Sequence, residues 1–259
     1  MGAAVSGWAT SILMYHSVSD RGGATSIPPA VFAMQMRALA QSGVPCLTLG
    51  DWADLRGAGR LPARSVVVTF DDGFADFDQA AWPVMRDLGI RPIVYLPTGY
   101  IGGSEGWRGI ADPPRPLMGW NRVEALAAEG VLFGNHTRSH PDLTALPDAE
   151  MTAEVQGGAG VLADRLGAAP AHFAPPYGLA GPRERAAISR AHVTSVGTRL
   201  GVAGQGDDLF DLPRIEMFYF QNPARWRAHL AGRGGPYLAL RRTLRTVKGA
   251  AMKPWAGLK

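Results

Sequence analysis

The chain has 259 residues, enough for one barrel-sized α/β domain or two small ones, with 46% apolar and 19% charged residues. Its single cysteine, Cys46, excludes an internal disulfide and a cysteine metal cluster, and no run reaches the ~18 apolar residues needed to span a bilayer. The net charge of +4 is unevenly spread: residues 1 to 216 carry 17 basic and 22 acidic side chains, residues 217 to 259 nine basic and no acidic ones.

Ser-Ile-Leu-Met-Tyr-His, residues 11 to 16, reads as a buried first strand ending on His16. A glycine-rich loop over 20–26 leads through Pro28 and Pro29 to a helix near 30–42, with Phe32, Met36 and Leu39 on one face and Gly43 closing it. A short strand or extended piece over 44–49, where Cys46 is expected to be buried and inert, precedes a small helix around 51–56. Residues 64–72 form the central strand, whose β-branched run delivers Asp71 and Asp72 to its C-terminal edge before Gly73. A helix over 76–88 stops at Gly89, and a strand over 90–96 ends at Pro97. Residues 98–117 hold five glycines and three prolines and read as an irregular rim or lid outside the core, with Trp107 a candidate lining of a substrate groove.

A helix over 120–129 and a strand over 131–133 lead to His136 and His140. A helix over 147–166 follows, then a short strand over 171–173 and the stiff turn Ala-Pro-Pro-Tyr-Gly, residues 174 to 178. The series closes with a helix over 182–189, strands over 192–197 and 211–217, and basic helices over 222–230 and 237–247. Strand and helix alternate about seven times, the pattern of a parallel α/β barrel. That barrel is expected over residues 1–220, with 221–259 a basic helical extension packed on or beside it. His16, Asp71, Asp72, His136, His140 and Tyr177 all follow strands, where such a barrel gathers its active site.

Asp72, His136 and His140 form a carboxylate and imidazole set suited to one divalent cation, the histidines being four residues apart. Successive strand side chains alternate in direction, so Asp71 and Asp72 flank such a site from different angles. Asp72 is then the ligand and Asp71 the general base. The stiff turn at Pro175 and Pro176 can hold the Tyr177 backbone N–H towards an oxyanion, with a rigid connecting loop as the alternative. Asn135 orders the metal loop or caps its backbone. His16 is a candidate general acid, with a rim-bonding structural role as the alternative, whereas His172, His192 and His229 fit metal chemistry poorly.

Thr-Phe-Asp-Asp-Gly at 69–73, His-Thr-Arg-Ser-His at 136–140 and Pro-Pro-Tyr-Gly at 175–178 resemble the polysaccharide deacetylase family, the NodB-homology domain of carbohydrate esterase family 4. Ile-Leu-Met-Tyr-His at 12–16 and Leu-Pro-Arg-Ile at 212–215 are similar to its exopolysaccharide-associated branch. The resemblance covers about residues 11–217. It implies a distorted (β/α)7 barrel and hydrolysis of an N-acetyl group from an amino sugar, with Zn2+ as the expected cofactor and Co2+, Ni2+ or Mn2+ as alternatives. It also implies Asp71 as base, Asp72, His136 and His140 as ligands, and Tyr177 and Pro176 beside the substrate.

Two departures stand out. The third motif of the family opens with an arginine that steadies the base, where this chain has Ala174; the late leucine-x-histidine motif that supplies its acid is replaced around Leu212 to Ile215. His16 is then expected as the acid, and Arg214 or Arg199 near Asp71, with Arg214 counted among the oxyanion and substrate residues. Hydrolysis of a non-sugar amide and a non-catalytic glycan-binding barrel are the alternatives. Residues 1 to 11 show no secretory signal, so a cytoplasmic protein is expected. The basic tail reads as a solvated basic helix pair or as a peripheral membrane or lipid-phosphate contact, and no nucleic-acid motif accompanies it. The sequence leaves the oligomeric state open.

Overall fold

The structure is a computed structural model that describes residues 8–107 and 113–252, with side chains through residue 246. Seven parallel strands close into a barrel in sequence order: β1 (Ala9–Tyr15), β2 (Arg64–Phe70), β3 (Ile93–Leu96), β4 (Leu132–Asn135), β5 (His172–Phe173), β6 (Thr194–Leu200) and β7 (Leu212–Glu216). β1 pairs with β2 over its whole length and with β7 at Leu13↔Ile215 and Met14↔Glu216, which closes the ring. The expected (β/α)7 barrel is the observed fold.

The helices between strands are α1 (Pro29–Gln41), α2 (Leu49–Gly57), α3 (Trp82–Asp87), α4 (Trp120–Ala128), α5 (Asp148–Leu166) and α6 (Pro182–Ile188). Strand alternation divides the apolar residues. Leu13, Tyr15, Val66, Val68, Phe70 and Val94 face outward and pack with Phe32, Met36 and Leu39 of α1 and Met85 of α3. Ile12, Val67, Tyr95, Val196 and Leu212 fill the barrel with Leu49 and Trp52 of α2. Trp52 donates its indole N–H to Thr10 Oγ1 near the start of β1, so α2 plugs the N-terminal end and the site is left to the opposite one.

The same alternation aims the chemistry. Residues 12 and 14 of β1, 67 and 69 of β2, and 212 and 214 of β7 point into the barrel, so His16 and Asp71, one step beyond their strands, continue the inward set with Arg214.

Several boundaries differ from expectation for local reasons. Among the described residues the segment at 44–49 makes one isolated bridge, Cys46↔Val66, and Cys46 is half-buried rather than fully buried, although burial still pushes its thiol up to about 12. The helix expected over 76–88 opens as a π-turn, Phe77–Ala81: Pro83 has no N–H to give, and the Trp82 N–H reaches back to Phe77 O. β3 begins at Ile93 because Pro92 has no ladder donor. The segment 98–117 is not outside the core throughout, since Glu105 and Arg115 are buried in it at 3% and 7% exposure.

After β7, α7 (Pro223–Ala228) and α8 (Gly235–Met252) follow. Trp226, Leu230 and Leu238 pack into the outer core, and the Trp226 indole N–H donates to Gln35 O at 2.9 Å. No helix among the described residues is long and apolar enough to cross a membrane. Residues 1–7 and 253–259, the outer ends of the expected barrel and extension, lie outside the described residues.

Candidate active site

β2 runs straight into the site. Its side chains alternate to Thr69 and Asp71, and the backbone then turns over at Asp72, with φ of 72°, and Gly73, also at 72°. The turn lets consecutive carboxylates serve one place from different angles. A Cβ at residue 73 would press on Leu96 Cδ2 and sit in strained backbone, both of which favour glycine there.

β4 delivers the histidines through a second strained loop, with Thr137 and His140 at φ of 69° and 57°. Asn135 holds it from beneath: its Oδ1 accepts the Thr137 N–H at 2.9 Å and its Nδ2 donates to Val155 O of α5 at 2.8 Å. Glu154, also on α5, accepts both the Arg138 and Ser139 backbone N–H groups. Gly158 allows this approach, because a Cβ there would lie 2.4 Å from Asn135 Oδ1. Neither Glu154 nor Gly158 stood out in the sequence, since their spacing fits any helix.

Asp72 Oδ1 lies 3.4 Å from both His136 Nε2 and His140 Nε2, and the three donor atoms are all within 4.8 Å of one another. Ligands at about 2.0–2.1 Å around a tetrahedral centre stand about 3.3–3.4 Å apart. All three residues are buried. The donor set therefore fits one divalent cation. Burial opposes ionisation of Asp72, but the hydrogen-bonding imidazoles reverse this and hold its carboxyl well below the usual range. The two rings differ: burial disfavours charge on both, yet Asp72 and Asp71 leave His136 raised, whereas His140 ends lowered.

Arg214 enters from β7 and meets Asp71 with both guanidinium arms, Nη1 to Oδ1 and Nη2 to Oδ2, each at 2.6 Å. Its Nε donates to Gly197 O at 2.8 Å and Nη1 also reaches Thr69 Oγ1 at 3.1 Å. Burial would raise the Asp71 carboxyl, but Arg214, with His136 and His16, brings it below its ordinary value. Of the two arginines expected near Asp71, Arg214 is the one beside it, 1% exposed with its fork on that carboxylate. Arg199 instead points outward to Asp207 and Asp211. Ala174, where the family pattern has its arginine, contributes its carbonyl, which accepts from His136 Nδ1 at 2.6 Å.

His16 Nε2 stands 3.9 Å from Asp71 Oδ2, and its ring makes no hydrogen bond among the described residues. Glu216 at the end of β7, absent from the sequence reading, lies within electrostatic reach of His16 and Arg245; burial raises its carboxyl. Tyr177 closes another side, its ring edge-on to His140 at 4.9 Å and its backbone at φ of 59°. Pro176 is buried beneath this turn. Trp107 stacks on His140 with ring centroids 4.3 Å apart. His172, His192 and His229 take no part in the cluster, although His192 Nε2 lies 3.1 Å from Asn135 Nδ2.

The "Polysaccharide deacetylase" family profile matches residues 58–196, a span that includes both carboxylates, both clustered histidines and Tyr177. The Bacillus subtilis (strain 168) protein YxkH, whose name places it among polysaccharide deacetylases, is 28% identical over 145 residues, 56% of this chain and 48% of YxkH. The match thus spans about half the length of that relative. The structure of IcaB from Ammonifex degensii superposes with a TM-score of 0.74 at 26% identity, covering 88% of this chain and 98% of that one. The Streptococcus pyogenes deacetylase PplD is similar in fold, with a TM-score of 0.72 at 23% identity, covering 81% of this chain and 92% of that one. With its profile matching more than half of the sequence, this chain belongs to the polysaccharide deacetylase family.

Proposed function

We propose that this protein is a metal-dependent hydrolase that removes the N-acetyl group from an amino sugar in a glycan, glycolipid or glycoside. The carrying observation is the Asp72, His136 and His140 cluster beside an Asp71 carboxylate clamped by Arg214. A divalent cation held there, most simply Zn2+, would supply Lewis-acid polarisation of the acetamide carbonyl. Asp71 takes the proton of a water whose oxygen attacks the carbonyl carbon. Arg214 keeps that carboxylate ionised and fixed in plane. The Tyr177 turn offers its backbone N–H to the developing oxyanion. As the C–N bond breaks, His16 gives a proton to the departing nitrogen, leaving acetate and a free amine.

The basic C-terminal region is proposed to touch an anionic leaflet or a lipid-borne phosphate, on a protein located in the cytoplasm. On α8, Leu240 and Leu244 are exposed at 56% and 49%, one turn apart and interspersed with Arg241, Arg242 and Arg245. Sedimentation with anionic and neutral vesicles tests this contact, and equal recovery with both would remove it.

The catalytic reading is tested by measuring acetate released from chito-oligosaccharides by chelator-stripped, zinc-reloaded protein, alongside a panel of linear and cyclic non-sugar amides. Release from the sugars alone supports the proposal. Turnover restricted to the other amides would transfer the same chemistry to a non-sugar substrate, and a cation bound with no turnover would favour a glycan-binding barrel.

A further inference from the structure

A metal-ligating histidine needs its ring plane fixed, usually by a hydrogen bond from its other nitrogen. His136 has one, from Nδ1 to Ala174 O at 2.6 Å. His140 does not: its Nδ1 is buried with no hydrogen-bond partner among the described residues. Aromatic faces surround the ring instead. Trp107 lies nearly parallel to it, at 4.3 Å and 27°, while Tyr177 and His136 stand edge-on at 4.9 and 4.8 Å.

We propose that Trp107 is the positioning residue for His140, setting by stacking the ring plane that a hydrogen bond sets for His136. The cation affinity of the site then depends on the 98–107 arm of the loop. This inference rests on the cation-binding part of the proposed function and extends it to a residue that ligates nothing.

The surroundings of Trp107 are built to hold it. Tyr100 meets the indole edge-on at 5.1 Å and 86°. Gly106 makes room, since a Cβ there would come within 2.7 Å of Tyr100 Cε1. Phe74, two residues beyond Asp72, lies at 6.4 Å from Trp107 and carries the Arg115 guanidinium 3.9 Å above its ring. Arg115 is clasped by Glu105 through Nε to Oε1 and Nη2 to Oε2, both at 2.9 Å. The backbone bridge Ser104↔Pro116 ties the two arms of the loop together, and Phe74↔Leu117 ties the loop's end to the segment that follows Asp72. A buried ion pair in an otherwise glycine-rich segment is thereby linked to the orientation of one imidazole.

The test uses full-length metal-free protein titrated with Zn2+ against a chelating indicator, for wild type, Trp107→Ala and Trp107→Phe. Trp107→Ala should bind zinc about threefold to tenfold more weakly and release it faster, with the unfolding midpoint of the metal-free protein little changed. Trp107→Phe should recover most of the affinity. In metal-free wild type the indole should shift the His140 ring proton resonances upfield, and Trp107→Ala should abolish that shift. Equal zinc affinity and release rate in wild type and Trp107→Ala would overturn this inference alone. A wild type that takes up no zinc would overturn the cation reading and this inference with it.

Discussion

Arg214 and Asp71, 143 residues apart in sequence, meet inside the barrel through two parallel N–H···O contacts of 2.6 Å. The pair exists because β7 closes onto β1 and places residue 214 on the inward side. It bears on the difference at Ala174: the guanidinium beside Asp71, the proposed base, comes from the last strand rather than from the Pro-Pro-Tyr-Gly turn. Arg214→Met should strand a buried carboxylate, costing about 3–5 kcal/mol of stability, and lower kcat with it. Arg214→Lys keeps the charge but loses the fork, so it should fold better than Arg214→Met and remain well below wild-type kcat. Denaturant unfolding and initial rates of acetate release measure both, and a wild-type kcat in Arg214→Lys would deny the fork its role.

Asp71→Asn should keep the cation site and lose most turnover, since Asp71 stands outside the Asp72, His136 and His140 set. Metal content by elemental analysis, read beside kcat, separates this variant from His136→Ala, which should lose both. A loss of metal in Asp71→Asn would make Asp71 a ligand.

His16→Ala should lower kcat by about 10²-fold or more with metal content unchanged, the expected loss of a general acid. Substrates with better leaving groups should be less affected. Rates near wild type would return His16 to a structural role at the rim.

Two buried histidines far from the site set an acid limit. Burial, aided by His192 beside His172 and Arg64 beside His229, pushes both rings down to about 4. Unfolded histidines titrate near about 6.5. Between these values the unfolded chain binds more protons, so this contribution to stability is full above pH ~6.5 and is lost as pH falls toward 4. Urea midpoints of metal-free protein should therefore fall from pH 7 to pH 5, and a His172→Gln, His229→Gln double variant should show a shallower fall. An unchanged slope would assign the acid sensitivity to other groups.

The candidate ligands and base were legible in sequence because each closely follows a strand, where an apolar run stops at a carboxylate pair or at Gly-Asn-His. The barrel was legible from the same alternation. The grip on Asp71 could only be narrowed to Arg214 or Arg199, because the choice depends on barrel closure and on which side of β7 residue 214 faces. The Glu105 and Arg115 clasp was hidden by glycines and prolines that mark irregular backbone and say nothing of burial. Support for the histidine loop by Glu154 and Gly158 comes from an ordinary helical pattern, and only the packing of α5 against that loop reveals it.

Asp72, His136 and His140 are proposed to share one divalent cation on which hydrolysis depends. The direct measurement is a zinc titration of chelator-stripped protein, with acetate release followed at each addition. One equivalent should bind, with activity rising in step with occupancy, and neither should be seen in His136→Ala. Full activity in stripped protein, or no zinc bound by a folded wild type, would contradict the proposal.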